Sequence, residues 1–451
     1  MAVQGADSQA PVDRMPLSGA LRTWSYIGLN SFGGPAGHIA VMHEQLVQRR
    51  RWVGEDRFQH ALNTCVLLPG PEAMQLAAYL GWLVHGVRGA VVAAACFVMP
   101  GFLVMLGLAA LYAVGGSIGW VAAMVAGLQA AVVAVVLQAF IRLTRRALSS
   151  GLLIGVAAVS FLATAVLSVP FPAIIAAAAL VGWVASRSSK LLGPRIQGPD
   201  VQGQVRINPG TRRPLMAAMA CMVLWLTPVV AIIAVRGPQD VYAQMAWLFS
   251  KAAVLTFGGA YAILGYVAEE AVNRYGWLST ADMATGLGFA EMTPGPLVLV
   301  LEFVGFMAAY QQPGAVTPMS AGILGAFLAA WTIFVPALMA VFLAAPFSER
   351  LRSNVSVAGA LAAISAAVCG VILNLALWLA TRVLFGATLE AQWGPISASL
   401  PELSSLQWPM VLIAGLAALL LFGVRRLPIL VVLGICAGLG LLLGLGVSLQ
   451  A

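Results

Sequence analysis

Charge is what this sequence has least of. Only 9% of its 451 residues are Asp, Glu, Lys or Arg, against about 25% in an ordinary soluble domain. With 61% hydrophobic residues, a soluble fold could not cover its core with polar surface. A cytosolic enzyme, a nucleic-acid binder and a disordered scaffold are excluded. A polytopic α-helical membrane protein remains. The apolar runs are each about 20 residues long and lack strict alternation, so they read as helices rather than barrel strands.

Other absences narrow the function. The five cysteines, Cys65, Cys96, Cys221, Cys369 and Cys436, form no CxxC pair, so neither a disulfide framework nor a metal site is expected. His38 and His43 are not at i,i+4 spacing, which argues against a helical metal pair. No GxxxxGK[ST] occurs, so no P-loop engine is expected. Gly115-Gly116-Ser117-Ile118-Gly119 matches GxSxG formally, but lies between two apolar runs without the strand–turn–helix setting of a nucleophile elbow. No cofactor and no enzymatic constellation is expected. The tail 1–19 is polar and lacks a signal-peptide layout; the first span is expected to supply the insertion signal.

The charge that is present is mostly arginine in loops, which is what membrane orientation requires. Net charge is +8, and the only lysines are Lys190 and Lys251. Apolar segments fall near 20–43, 59–84, 89–114, 117–141, 151–167, 170–186, 215–235, 244–268, 283–309, 320–345, 355–381, 408–424 and 427–447, about 13 transmembrane segments in all. The longest break, 187–214, is strongly basic and is taken as cytoplasmic. Counting from it puts Arg142, Arg145, Arg146, Arg350, Arg352, Arg425 and Arg426 inside, and 310–319 and 382–407 outside. Arg49, Arg50 and Arg51 fall outside on this count and break the rule: either the first segment is re-entrant or the count is wrong there. The resulting division is a cytoplasmic tail (1–19), a first repeat (20–186), a basic linker (187–214), an inverting span with an outer loop (215–243) and a second repeat (244–451).

The repeat is legible without gaps. Residues 32–71 align with 257–296 at an offset of 225, with 11 identities in 40 positions. Phe32-Gly33-Gly34 lies on Phe257-Gly258-Gly259, Trp52 on Trp277, and Pro69-Gly70-Pro71 on Pro294-Gly295-Pro296. An odd number of spans separates the copies, so they enter the membrane from opposite sides. Such inverted repeats mark secondary transporters, with the site near the midplane.

Each copy carries two breaks inside an apolar stretch. Glycine lets the backbone leave helical geometry, and proline suits the start of a helix. Pro35, Pro71 and Pro296 can therefore each open a half-helix whose free N–H groups and positive dipole end face the interior, an anion site. The plainer reading is a set of proline kinks. Lys251 is the only lysine within an apolar segment, shortly before Phe257; it either serves the site or snorkels to the interface. Glu72, Gln75 and Tyr79 share one helix face. Glu291 and Glu302, about three helical turns apart, are expected to share another. These carboxylates either handle protons, repel the wrong ion, or hold backbone N–H groups freed by the breaks.

At these residues the chain resembles the chromate ion transporter (CHR) family of bacterial inner-membrane proteins. Phe32-Gly33-Gly34-Pro35-Ala36-Gly37-His38 and Leu68-Pro69-Gly70-Pro71-Glu72-Ala73-Met74-Gln75 resemble its first-half motifs. Lys251, Thr256-Phe257-Gly258-Gly259 and Glu291-Met292-Thr293-Pro294-Gly295-Pro296 resemble those of the second half. Glu302 stands where similar sequences have Gln. The resemblance implies a long, two-domain member that exports chromate across the inner membrane and confers chromate resistance, with sulfate as competitor or relative. The alternative in the same class is a sulfate or other oxyanion transporter. The expected partners are the lipid bilayer, chromate and sulfate, and a second copy of the chain as a homodimer; nucleic acid is not among them.

Overall fold

The structure is a computed structural model. It describes residues 17–167, 169–187, 212–257, 260–347, 354–393, 396–424 and 427–444. Expectations on the N-terminal tail before residue 17, the core of the basic linker, Gly258, Gly259, Arg350, Arg352, Arg425 and Arg426 lie outside the described residues. The rest is an all-α polytopic membrane protein. Five helices are long and apolar enough to cross a membrane, with several shorter apolar helices beside them.

The first repeat opens with α1 (Leu17–Asn30), α2 (Gly34–His43) and a π-helical turn (Glu44–Arg49). Then come α3 (Glu55–Cys65) and the long α4 (Glu72–Gly115). His85 (φ −130°, ψ 19°) and Gly86 (φ 63°, ψ −152°) interrupt α4. The chain folds back there, and Gly81 meets Gly89 backbone to backbone, so closely that a Cβ on either would overlap the other's carbonyl.

The second repeat reuses the plan: α9 (Val241–Leu255), α10 (Ala260–Ala268), a π-helical turn (Glu269–Arg274) and α11 (Thr280–Met292). A short 3₁₀ turn (Leu297–Leu299), α12 (Val300–Gln311) and α13 (Pro318–Ala344) follow. The two π-helical turns start at Glu44 and Glu269, the same offset that the sequence repeat shows. Gly305 and Gly325 let α12 lie against α13, as Gly81 and Gly89 do within α4.

The broken segments turn back at their breaks. Trp277, beyond α10, packs its ring 6.4 Å from that of Phe249 in α9. Gly286 of α11 faces the ring of Phe303 in α12. Gly28 of α1 and His38 of α2 both lie against Phe97. Neither of the first two pairs could meet in a straight helix, which rises about 1.5 Å per residue. The apolar segments at 20–43, 59–84, 244–268 and 283–309 are thus re-entrant hairpins with their tips at the glycine and proline motifs.

This removes the exception in the charge pattern. A hairpin that turns back returns Arg49, Arg50 and Arg51 to the face it entered. The second arm of α4 crosses away from that face and α5 (Gly119–Ala147) crosses back. Arg142, Arg145 and Arg146 therefore share a face with Arg49–Arg51. After α6 (Gly151–Ala165), α7 (Phe171–Ala185) and α8 (Arg212–Arg236), the second pair of hairpins enters from the opposite face.

The remaining helices are α14 (Val355–Leu384), α15 (Trp408–Gly423) and α16 (Ile429–Leu442). A small antiparallel hairpin, β1 (Thr388–Trp393) with β2 (Ile396–Pro401), precedes α15. Packing is crosswise: α5 lies on α15 and α16, while α14 lies on α6 and α7. Small residues allow it, Gly127 against Cys436 and Gly440, and Gly370 against Ala157; close backbone approach is how helices associate where lipid offers no hydrophobic driving force.

Gln48 and Asn273 are exposed mates of the two repeats. In a cysteine-free background, Gln48→Cys should react with a membrane-impermeant thiol reagent only from the arginine-rich face, and Asn273→Cys only from the other. Labelling of both from one face would contradict the inverted arrangement.

Candidate functional site

The breaks are held by backbone geometry that only glycine takes easily. Gly33 (φ 84°), Gly34 (φ 73°), Gly70 (φ 129°) and Gly295 (φ 95°) all sit at positive φ, where a Cβ is strained. Unwound backbone at membrane depth needs partners for its N–H and C=O groups. Here each half supplies the other's. The Gly70 N–H donates to the Thr256 carbonyl at 2.8 Å, and the Gly295 N–H donates to the Ser31 carbonyl at 2.8 Å. These bonds are mates under the offset of the repeat. Ser31 and Thr256 are themselves pinned, each hydroxyl donating at 2.6 Å to its own helix, to Ile27 O and Ala252 O. Gln75 reaches back across the first Pro-Gly-Pro, its Nε2 donating to Pro69 O at 2.6 Å.

Beside this junction lies a cavity of about 300 Å³. First turns of four half-helices reach its wall: Pro35 and Ala36 of α2, Glu72 of α4, Ala260 and Tyr261 of α10, and Leu297 of the turn that opens α12. The helices opened by Gly34, Glu72 and Leu297 have no side-chain cap, being preceded by Gly33, Pro71 and Pro296. Four N-terminal dipole ends carry about +0.5 charge each, about +2 together. Arg142 and Arg146 of α5, one turn apart, line the same cavity. Arg142 also receives support from Gln138, whose Oε1 accepts from its Nη2 at 3.1 Å.

Two carboxylates answer this positive field. Glu72 lines the cavity, within the electrostatic reach of Arg146. Glu291, buried at the end of α11, accepts a hydrogen bond from the Tyr261 hydroxyl and lies within reach of Arg142. A space of about 300 Å³ holds roughly ten water volumes at about 30 Å³ each, enough for a small oxyanion with part of its hydration shell. The arrangement can bind a compact anion. Among the described residues no cluster of His, Cys, Asp and Glu could hold a metal ion.

The structure brings together most of the residues that the sequence motifs single out, and separates others. Gly33, Gly34, Pro35, Pro69, Gly70, Pro71, Glu72, Gln75, Glu291, Pro294, Gly295 and Pro296 converge at the junction; Phe32 and Phe257 flank it in sequence. His38 is buried with its ring edge 5.5 Å from Phe97 and does not line the cavity. Lys251 lies elsewhere, its amine over the rings of Trp247 and Tyr266 at 5.5 and 6.0 Å. Glu291 and Glu302 do not share a helix face: the break at Thr293–Pro296 places them on different helices. Glu302 is 1% exposed, and neither carboxylate oxygen has a hydrogen-bond partner.

Arg142, Arg146 and Tyr261 are absent from the motif reading. In the sequence the arginines are legible only as markers of the basic face, because the apolar run ends near 141. The available signal is their i,i+4 spacing, which puts both on one face of a helix that continues to Ala147. A larger groove of about 660 Å³ between α8 and α13 is nearly all apolar. Its one charged lining residue, Arg236, is paired with Asp240 at 3.3 Å, so it offers nothing comparable to an anion.

Comparison with known proteins gives the family. The Chromate transporter family profile matches residues 19–183 and 243–441, one stretch for each half. The chain is 26% identical to the chromate transport protein of Cupriavidus metallidurans over 404 residues, 90% of this chain and 92% of that one. It is 32% identical to the chromate transport protein of Pseudomonas aeruginosa over 323 residues, 70% of this chain and 71% of that one. A probable chromate transport protein of Synechococcus elongatus is 27% identical over 347 residues, 77% of this chain and 80% of that one. No solved structure matches. With both halves matched by the family profile, the chain belongs to the chromate transporter family.

Proposed function

We propose that this chain is a secondary transporter that exports chromate across the bacterial inner membrane, and that the cavity at the crossed tips is its binding site. The observation that carries this reading is the convergence of four half-helix N-termini and two arginines on one small cavity. A dianion leaving water needs paired charge or desolvation excludes it. The dipole ends supply about two positive charges without fixing the ion to a single strong partner, so release remains open. The relatives, named as transport proteins, support a carrier rather than an enzyme.

Direction follows from charge. With the cell interior negative, a dianion moving outward gains about 4.6 kcal/mol per 100 mV. Export therefore needs no nucleotide hydrolysis. By the positive-inside rule the cavity, bordered by Arg142 and Arg146, opens toward the cytoplasm, the side from which an exported ion is loaded. Glu72 acts as the resident counter-charge in the empty site and yields to the entering dianion. Sulfate has the same charge and shape and competes for the same groups.

Two measurements test this. Chromate flux in everted vesicles at matched expression should fall about tenfold or more for Arg142→Gln and for Arg146→Gln, as expected for losing a charge-assisted hydrogen bond. Arg145→Gln, exposed like the other two but outside the cavity, should stay near wild type. Equal loss in all three would reduce the effect to surface charge, and no loss in any would remove the arginines from the site.

Gly70→Ala and Gly295→Ala should abolish flux in protein that still inserts. A Cβ at Gly70 would stand 2.7 Å from Gln75 Nε2 and 3.0 Å from the Ala337 Cβ, and one at Gly295 would be 3.3 Å from the Phe97 carbonyl, both at positive φ. Normal flux in either variant would return Pro-Gly-Pro to the status of a kink.

A further inference from the structure

A second cavity, of about 250 Å³, lies further along α10, toward its C-terminal end. Its wall includes Tyr266 and Gly265 of α10, Glu270 and Arg274 of the following π-helical turn, and Asn374 of α14. The start of α7 closes it, with Phe171 stacked on Tyr266 at 5.4 Å. The loop between α6 and α7, which reaches the wall of this cavity, lies at the opposite end of the helices from Arg142 and Arg146.

The two cavities are stacked along the same pair of helices. On α10, Tyr261 and Gly265 face the first and second cavity in turn, about 6 Å apart along the helix axis. On α14, Ser365 and Ile372 line the first, while Val371, Asn374 and Leu375 line the second. On α10 what separates them is little more than one helical turn. At that turn α10 meets α14 through a glycine: a Cβ at Gly265 would lie 3.2 Å from Val371 Cγ1 and 3.6 Å from Leu375 Cβ.

Lys251 stands beside this second cavity without lining it. Its amine lies 6.0 Å from the ring of Tyr266, and Glu270 and Arg274 both act on it through space. No carboxylate lies within ion-pair distance of it among the described residues, whereas Arg274 is already paired with Glu270 at 3.1 Å. Lys251 is thus a cation with spare capacity on the side away from Arg142 and Arg146.

We infer that the second cavity is the outer vestibule of the transport path, that the α10 turn from Tyr261 to Gly265 against α14 is the barrier between the two, and that Lys251 receives the tetrahedral dianion as it leaves the crossed tips. The inference rests on the oxyanion-transport reading of the first cavity. It gives the path two cationic stations in series, Arg142 with Arg146 on one side and Lys251 on the other. The sequence motif that pairs Lys251 with the second break then has a role at exit rather than at the tips.

The test uses single cysteines in the full-length, cysteine-free protein in native vesicles of both orientations. Ser365→Cys should react with an impermeant methanethiosulfonate only from the cytoplasmic face, and Asn374→Cys only from the outer face, with millimolar chromate slowing both reactions. Thr164→Cys, on α6 in the same wall, replaces Asn374→Cys if that variant does not insert. Lys251→Gln should cut chromate flux severalfold while chromate still protects position 365, and Lys251→Arg should retain most of it. Absence of chromate protection at 365 would overturn the binding reading of the first cavity. Protection at 365 together with position 374 labelled from the cytoplasmic face, or near-wild-type flux in Lys251→Gln, would overturn the outer vestibule alone.

Discussion

Two backbone hydrogen bonds hold the rest of this structure in place. A peptide group unwound at membrane depth finds no water, and leaving its N–H unpaired costs free energy of the order of several kcal/mol. The chain unwinds at four such places and meets the cost by symmetry: Gly70 donates to Thr256, and Gly295 to Ser31. The glycine N–H of each Pro-Gly-Pro finds its partner in the other half. The hairpins of the two repeats accordingly meet tip to tip.

The function grows from that constraint. Tips that must meet bring four helix N-termini to one locality, and glycine and proline at the capping positions leave three of those ends without side-chain caps. A positive field is then built from backbone alone, before any arginine is added. It suits a small dianion because it is distributed: partial charges of about one half each bind without the strength of a fixed ion pair. In the proposed reading Arg142 and Arg146 add full charge at the end where the ion enters. Crosswise packing of α5 and α14 onto helices of the opposite half fixes this geometry and runs α14 past both cavities.

Much of this is legible in the sequence, because the features that force it are local. Glycine and proline recurring at one offset in the two halves announce breaks, and two matching breaks announce inverted repeats. Re-entry of the first segment is visible only as a contradiction at Arg49–Arg51. The structure resolves it, since hydropathy reports that a segment is buried but not which way its second half runs. Three kinds of information are missing from the pattern. Partner choice between tips depends on contacts between distant parts of the chain, Gly70 with Thr256 and Gly295 with Ser31, which no local pattern encodes. Arg142 and Arg146 look like loop arginines because α5 outlasts its apolar run. Helical spacing puts Glu291 and Glu302 on one face only if it is carried through a Pro-Gly-Pro, and that motif ends the helix.

The central claim is that the crossed tips form the oxyanion site, and the most direct measurement is the position of chromium itself. The purified protein in lipid, saturated with chromate, can be examined by anomalous diffraction at the chromium edge. The account predicts one strong peak among Pro35, Ala36, Tyr261 and Leu297, on the side of Arg142, displaced by excess sulfate. A peak confined to the apolar groove between α8 and α13, or no ordered chromium at saturation, would contradict it.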